Sequence, residues 1–268
     1  MRIAVQQMTS GVLPATNVSE MIGAIEAAAH GGAAMYFAPE MSTMVNRKRD
    51  EARLHIFNEA QTESIERIAE VASQNNIWVH LGSIPVVHDT GQQLANRSII
   101  ISADGEIAAR YDKIHLFDVD LKTGESWRES SAYVGGENPV IVDTPLGKMG
   151  LAVCYDMRFP DLFSAYAKAS VDIITLPSAF TVPTGAAHWH ALLRARAIES
   201  ECFVIAAAQC GSHEDGRETY GHSLVVDPWG EVVLDMGTTP GLAFVDLDLD
   251  KIAEVRQQIP VHQNRRVI

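Results

Sequence analysis

The sequence has few cysteines, a deficit of positive charge and no long apolar run. Only Cys154, Cys202 and Cys210 occur among 268 residues, an odd number without metal-ligand spacing. Lysine and arginine total 21 against 34 acidic residues, a net charge of −13. This argues against nucleic-acid binding, which depends on clustered cations. Apolar runs stay far below the roughly 20 residues of a membrane-spanning helix, and no secretory leader opens the chain. We therefore expect a cytoplasmic protein without membrane or nucleic-acid partners.

The rest of the composition is that of a folded chain with a large core. Hydrophobic residues make up 47% of the sequence, enough apolar surface for a domain of this length. No low-complexity segment or linker interrupts residues 1–268, so we expect one domain. The ten histidines are dispersed, and the closest pair, His188 and His190, suits neither one helix face nor a zinc motif. We predict no metal site.

Short apolar strands alternate with amphipathic helices along most of the chain. Residues 3–8 have the pattern of a buried strand, and Asn17 with Glu20 forms a variant of the capping box that predicts the start of a helix. The alternation continues through residues 65–81 and 160–208. Such alternation favours an α/β fold.

Other segments predict antiparallel pairing. Asp104-Gly105 and Pro145-Leu146-Gly147 have the composition of hairpin turns between apolar strands. Residues 112–138 are polar and lack a sustained period, which predicts a long functional loop. Strands that alternate with helices but also form hairpins imply mixed sheets covered by helices. Two stacked sheets with helices outside would suit this number of strands.

Three chemically capable residues stand where apolar strands end, namely Glu40, Lys113 and Cys154. A cysteine nucleophile needs a neighbouring base or positive charge. A carboxylate could accept the thiol proton, while a lysine and the backbone N–H of Tyr155 could stabilise an oxyanion. Spacing alone leaves the alternative open that Glu40 and Lys113 are surface charges and Cys154 is a small buried hydrophobe.

The sequence around these three residues is more specific. The blocks are Phe37-Ala38-Pro39-Glu40, Tyr111-Asp112-Lys113-Ile114-His115-Leu116-Phe117-Asp118 and Val153-Cys154-Tyr155-Asp156-Met157-Arg158-Phe159-Pro160. This ordered set resembles the nitrilase superfamily of carbon–nitrogen hydrolases, and the match extends over nearly the whole chain. The resemblance implies a four-layer α-β-β-α sandwich with two mixed β-sheets.

The resemblance also implies a Glu-Lys-Cys triad and a mechanism. Cys154 would be the nucleophile, Glu40 the general base and Lys113 the oxyanion donor, with Glu129 orienting the substrate and the lysine. The alternative for Glu129 is a solvated loop carboxylate. The implied reaction hydrolyses an amide through a thioester and needs no cofactor. Family members commonly form homodimers or larger homo-oligomers.

Residues after the cysteine narrow the implied substrate. Tyr155-Asp156 resembles amidase branches, whereas nitrile-hydrolysing members usually carry Trp-Glu. The closest resemblance is to the branch that hydrolyses deaminated glutathione to 2-oxoglutarate and cysteinylglycine. The alternatives are an omega-amidase acting on 2-oxoglutaramate, another small-amide or N-carbamoyl hydrolase, and a non-catalytic binding protein on the same fold.

Both leading substrates are small anionic amides, so an arginine should pair with a substrate carboxylate. Arg158 and Arg128 are the candidate partners, and Phe180 is a further candidate substrate contact. We expect Arg194 and Arg196 to form structural salt bridges, since they lie in a helical segment with nearby glutamates.

Overall fold

The computed structural model describes residues 1–120, 122, 124, 126–264 and 266, which form sixteen strands and seven α-helices. The strands are β1 Arg2–Gln7, β2 Met35–Phe37, β3 Trp78–Val87, β4 Leu94–Ile101, β5 Ile107–Asp112, β6 Asp118–Asp120, β7 Ser126–Arg128, β8 Ile141–Thr144, β9 Gly147–Leu151, β10 Ile173–Thr175, β11 Phe203–Ala206, β12 Cys210–Ser212, β13 Glu218–Tyr220, β14 Leu224–Val226, β15 Val232–Asp235 and β16 Gly241–Asp246. The helices are α1 Pro14–His30, α2 Arg49–Arg53, α3 Glu63–Asn75, α4 Pro160–Lys168, α5 Val182–Ser200, α6 Asp250–Gln258 and α7 Val261–Asn264. Turns of 3₁₀ helix occur at Glu59–Gln61, Glu129–Ser131 and Cys154–Arg158.

Twelve of these strands form two mixed sheets of six. The first has the order β16-β1-β2-β3-β4-β5, and the second has the order β8-β9-β10-β11-β14-β15. Both sheets follow the same sequence of pairings in these orders: antiparallel, parallel, parallel, antiparallel, antiparallel. The four remaining strands pair as two separate hairpins, β6-β7 and β12-β13.

Alternating side chains sort the molecule into layers. Ile3 and Val5 of β1 belong to the core cluster that also contains strands β9 to β11 and helices α4 and α5. Ala4, which lies between them, packs in a second cluster with helices α1 and α3. Successive strand residues point to opposite faces, so the first sheet separates its helices from the second sheet. The predicted α-β-β-α sandwich is confirmed. Among the described helices, none is long and apolar enough to cross a membrane.

The predicted start of the first helix was wrong. Helix α1 begins at Pro14, and no side chain caps its N-terminus. Proline suits the first helical turn because its missing N–H would have no partner there. The Asn17 side chain instead bonds the backbone of Gly11 and Thr43. Asn17 therefore connects the helix to other segments of the chain and does not cap it.

The predicted loop at residues 112–138 also needs correction. It contains the β6-β7 hairpin and the 3₁₀ turn Glu129–Ser131. The hairpin was hard to recognise because its strands have only three residues each, too few to show a period. Leu121, Thr123 and Glu125 of this segment lie outside the described residues.

A close backbone approach at Gly82 holds the chain segment that leads to Glu40. Gly82 has φ +72°, and a Cβ atom there would overlap the carbonyl oxygens of Ala38 and Pro39. The register of β3 against β4 is irregular beside this glycine, between His80 and Ser83. Only a residue without a Cβ permits both the left-handed backbone and this contact.

We expect Gly82→Ala to lower the free energy of unfolding by about 2–4 kcal/mol, because the added methyl group meets rigid backbone in a strained conformation. Gly23→Ala is the matched control, since it lies within α1 with open space around it and should be neutral or stabilising by up to about 1 kcal/mol. Urea denaturation measures both variants. Equal stability of the two would contradict the proposed constraint.

Candidate active site

The ends of three strands bring the sequence-predicted residues together. Glu40 lies three residues beyond β2, and Lys113 directly follows β5, so both come from the first sheet. Cys154 lies three residues beyond β9 of the second sheet and begins a 3₁₀ turn. All three side chains line one cavity. The stacked sheets thus place the carboxylate and ammonium groups beside the thiol.

Lys113 forms a buried ion-pair network with two glutamates. Its Nζ lies 2.9 Å from Glu40 Oε1 and 2.9 Å from Glu129 Oε2. The side chains of Lys113, Glu40 and Glu129 are only 2%, 6% and 13% exposed. Glu129 is therefore paired and largely buried, and the alternative of a solvated loop carboxylate does not describe it.

Hydrogen bonds hold both carboxylates in position. Asn96 of β4 donates from Nδ2 to Glu40 Oε1 at 2.9 Å and to Glu129 Oε1 at 3.1 Å. The backbone N–H of Ala179 donates to Glu40 Oε2, and that of Phe117 donates to Glu129 Oε2. Sequence reasoning missed Asn96. The burial of Asn96 with every other residue of β4 is seen only in the structure, so no local signal marked it in the sequence.

The surroundings set the protonation of the three central groups. Burial favours the neutral acid of Glu40, but the charge and hydrogen bond of Lys113 outweigh it and lower the pKa of Glu40. Burial disfavours the charged form of Lys113, yet the charges of Glu129 and Glu40 raise its pKa well above the ordinary value. Burial first, and then the charge of Glu40, raise the pKa of the Cys154 thiol. The site therefore combines a neutral thiol with an ionised carboxylate that is paired with an ammonium group.

A buried aspartate fixes the turn that carries the nucleophile candidate. Cys154 has φ +46°, an uncommon conformation for a residue with a Cβ. Asp156 accepts hydrogen bonds from the N–H of Val153 at 2.8 Å, the hydroxyl of Tyr111 at 2.7 Å and the N–H of His115 at 3.0 Å. Tyr111 and His115 flank Lys113 in the chain, so Asp156 ties the cysteine turn to the lysine segment.

The cavity has a volume of about 590 Å³ and extends well beyond the three central groups. Its wall also includes Glu129, Tyr155, Phe180 and Arg128 from the sequence-predicted set. Pockets of this size accommodate small organic ligands. The wall further contains basic and aromatic side chains, among them Arg47, Arg49, Trp127, Tyr133 and Arg217.

The two arginines predicted to bind substrate already have partners. Arg128 pairs with Asp120 at 2.7 Å, and its side chain is half exposed. Arg158 is not part of the described cavity wall. Its guanidinium lies over the ring of Phe180, 5.4 Å from the centroid, and 3.3 Å from His188 Nδ1. Arg217 and Arg47 escaped sequence reasoning because no local motif marks them.

Of the salt bridges expected for Arg194 and Arg196 of α5, only that of Arg196 is found among the described residues. Arg196 pairs with Glu199 and donates to the carbonyl of Met157. Arg194 instead donates to the carbonyl of Gly230. Neither residue belongs to the wall of the cavity.

One group of side chains has the composition of a metal site. The ligand atoms of His190, His222 and Asp235 lie within 4.8 Å of one another. The carboxylate of Asp235 lies 3.0 Å from His190 Nε2 and 2.8 Å from His222 Nδ1. Hydrogen bonds between Asp235 and the two imidazoles account for this arrangement, and none of the three residues lines the cavity that contains Cys154.

Comparison with known proteins agrees with this fold and cavity. The carbon-nitrogen hydrolase family matches residues 2–257. Deaminated glutathione amidase of Bos taurus is 41% identical over 98% of this chain and 81% of its own length. The crystal structure of the Caenorhabditis elegans NitFhit protein has a TM-score of 0.91 at 38% identity. The aligned region covers 99% of this chain and 65% of that fusion protein.

A third similar structure concerns the cysteine. The amidase of Nesterenkonia sp. AN1 has a TM-score of 0.80 at 27% identity and covers 98% of this chain and 99% of its own. A mutant of that amidase shows Michael addition of acrylamide at its active-site cysteine. The fold, the cavity and the family match define a carbon–nitrogen hydrolase, and the chain belongs to the carbon–nitrogen hydrolase family. Several of its curated relatives are amidases, and the protein is an amidase.

Loss of the buried cation should destabilise the protein in a pH-dependent way. We expect Lys113→Met to lower the free energy of unfolding by about 3–5 kcal/mol at pH 7, because two buried carboxylates lose their partner. In the parent protein, the lowered pKa of Glu40 contributes stability above the unfolded pKa of about 4.3, and this is lost on acidification. In the variant the two buried carboxylates have no cation beside them, so protonation of either one stabilises the folded state. The deficit should therefore shrink as the pH falls from 7 towards about 5.

Urea denaturation at several pH values measures this deficit. Lys168→Met is the matched control, since Lys168 is exposed at the end of α4 and should stay near the parent protein at every pH. A deficit in Lys113→Met that does not change with pH would contradict the assigned charge states.

Proposed function

We propose that the protein hydrolyses deaminated glutathione, and that Cys154 is its nucleophile, Glu40 its general base and Lys113 its oxyanion donor. The observation that carries this proposal is a buried thiol that shares one cavity with a buried carboxylate, whose ion-pair partner 2.9 Å away is an ammonium group. The substrate is supported by the 41% identity to deaminated glutathione amidase over nearly the whole chain. Deaminated glutathione is an amide of 2-oxoglutarate with cysteinylglycine.

Acylation begins when Cys154 Sγ attacks the amide carbonyl carbon. Glu40 accepts the thiol proton during the attack, which the raised thiol pKa requires because little free thiolate exists beforehand. Lys113 and the N–H of Tyr155 stabilise the developing oxyanion. The N–H of Cys154 itself donates to the carbonyl of Pro177 at 3.0 Å, so it is not the backbone donor in this scheme.

Collapse of the tetrahedral intermediate breaks the carbon–nitrogen bond. Glu40 returns the proton to the leaving nitrogen, cysteinylglycine departs, and a thioester remains on Cys154. Glu40 then removes a proton from water as the water oxygen attacks the thioester carbon. Breakage of the carbon–sulfur bond releases 2-oxoglutarate, and the sulfur regains its proton from Glu40. The catalyst is thereby restored without a cofactor.

Glu129 is proposed to position Lys113 rather than to transfer protons. Both of its oxygens contact Lys113, and one of them also accepts the N–H of Phe117 at 2.7 Å. This leaves Glu40 as the carboxylate next to the thiol. Phe180 lines the cavity near these groups and supplies an apolar surface for the substrate.

The proposal also includes the cellular location of the protein and its oligomeric state. We propose a cytoplasmic protein, as expected from its few cysteines, that forms a homo-oligomer. Ile198 of α5 and Trp229 are large apolar side chains that are about half exposed. Ile198 packs against Gly230, the residue after Trp229, because a Cβ on Gly230 would overlap the Ile198 side chain. Exposed apolar residues grouped in this way are typical of interfaces between subunits.

Product formation by the purified protein tests the function. Deaminated glutathione and 2-oxoglutaramate are supplied in parallel, with Cys154→Ala as the matched blank. We expect preferential hydrolysis of deaminated glutathione, and loss of at least about a thousandfold of the activity in Cys154→Ala. Preference for 2-oxoglutaramate would instead define an omega-amidase. Activity retained by Cys154→Ala would refute the nucleophile.

A further inference from the structure

Two arginines and one tryptophan form a distinct part of the cavity wall. The guanidinium carbon of Arg217 lies 4.9 Å from the ring centroid of Trp127, and that of Arg47 lies 5.4 Å from it. All three residues line the cavity that contains Cys154. We call Arg47, Trp127 and Arg217 the arginine–tryptophan cluster.

The cluster has hydrogen-bond donors without acceptors. Arg217 Nε and Trp127 Nε1 are buried, and neither has a hydrogen-bond partner among the described residues. Among the described residues, the Arg47 guanidinium contacts the Trp127 ring and has no hydrogen bond or ion pair. Buried donors in folded proteins nearly always have a partner. Unpaired donors of one cluster, all on a cavity wall, indicate a ligand that supplies acceptors.

The charge balance points the same way. Burial lowers the pKa of Arg217, and the nearby charge of Arg47 adds to this effect, while Asp215 opposes it. Asp215 lies 3.4 Å from Arg217, longer than a charge-assisted hydrogen bond. Arg97 provides the contrast, since its buried guanidinium bonds both Asp112 and Glu59. Arginine stays charged even when buried, so the cluster has cationic groups that lack full compensation.

We propose that the arginine–tryptophan cluster binds a carboxylate group of the amide substrate. The inference rests on the proposed function, which supplies an amide with free carboxylates. A planar guanidinium donates two parallel hydrogen bonds to a carboxylate, and the indole N–H adds a third donor. Arg128 of the same wall is already paired with Asp120, whereas the cluster combines cationic groups with buried donors that have no acceptor among the described residues.

The position of the cluster separates recognition from chemistry. Trp127 belongs to β7, and Arg217 lies in the turn of the β12-β13 hairpin. Both hairpins stand outside the two main sheets. Two members of the cluster therefore lie on the hairpins, and Arg47 lies in the segment between β2 and α2, whereas Glu40, Lys113 and Cys154 follow strands of the main sheets.

Binding to the Cys154→Ala protein tests the cluster without turnover. Titration calorimetry with 2-oxoglutarate should show a Kd about tenfold or more higher after Arg217→Met or Arg47→Met, because each variant removes a charge-assisted contact. Arg2→Met is the matched control, since Arg2 is exposed on β1 outside the cavity wall and should leave the Kd unchanged. Arg47→Met guards against misfolding, because Arg47 has no described ion pair to lose.

Kinetics of the active protein separate this inference from the proposed function. With deaminated glutathione, Arg217→Met should raise KM about tenfold or more while hydrolysis of the neutral amide propionamide stays near the parent rate. Equal losses on both amides, unchanged KM and Kd values, or tighter binding of inorganic phosphate than of 2-oxoglutarate would overturn the carboxylate site. If the parent hydrolyses no anionic amide but 2-oxoglutarate binding still depends on Arg217, the proposed function fails and the carboxylate site stands.

Discussion

The buried contact of Lys113 with Glu40 and Glu129 is the interaction on which the candidate site depends. Three charges taken out of water would be strongly destabilising without close partners. Here each carboxylate also receives a backbone N–H, and Asn96 bonds both of them. These donors come from separate elements, so the charges are tolerated only when both sheets are assembled. The same pairing keeps Glu40 ionised, as its proposed role of general base requires.

The two sheets supply complementary halves of this arrangement. The first contributes the acid and the lysine, and the second contributes the cysteine turn. Asp156 joins the halves, because it bonds the turn itself together with Tyr111 and His115 on either side of Lys113. A buried carboxylate with this many hydrogen bonds is rigid, which suits a site whose oxyanion donors must be positioned before the reaction.

The residues that could be predicted from the sequence are those with a local sequence signal. Glu40, Lys113 and Cys154 could be selected because each follows an apolar strand within a distinctive block of sequence. Strand and helix periods predicted mixed sheets covered by helices, and the family resemblance supplied the four-layer arrangement. Asn96 could not be selected, since its two partners lie 56 and 33 residues away. Arg217 could not be selected either, because its turn joins strands of three residues that carry no periodic signal.

The most direct test of the catalytic account is the intact mass of the protein, quenched in acid shortly after mixing with excess 2-oxoglutaramate or deaminated glutathione. The account predicts one adduct of the same mass from both substrates, since both would leave the 2-oxoglutaryl group as a thioester on Cys154. Peptide mapping should place it on Cys154, and the Cys154→Ala protein should remain unmodified. Turnover without any adduct on Cys154 in the quenched samples, or an adduct that persists in Cys154→Ala, would contradict the account.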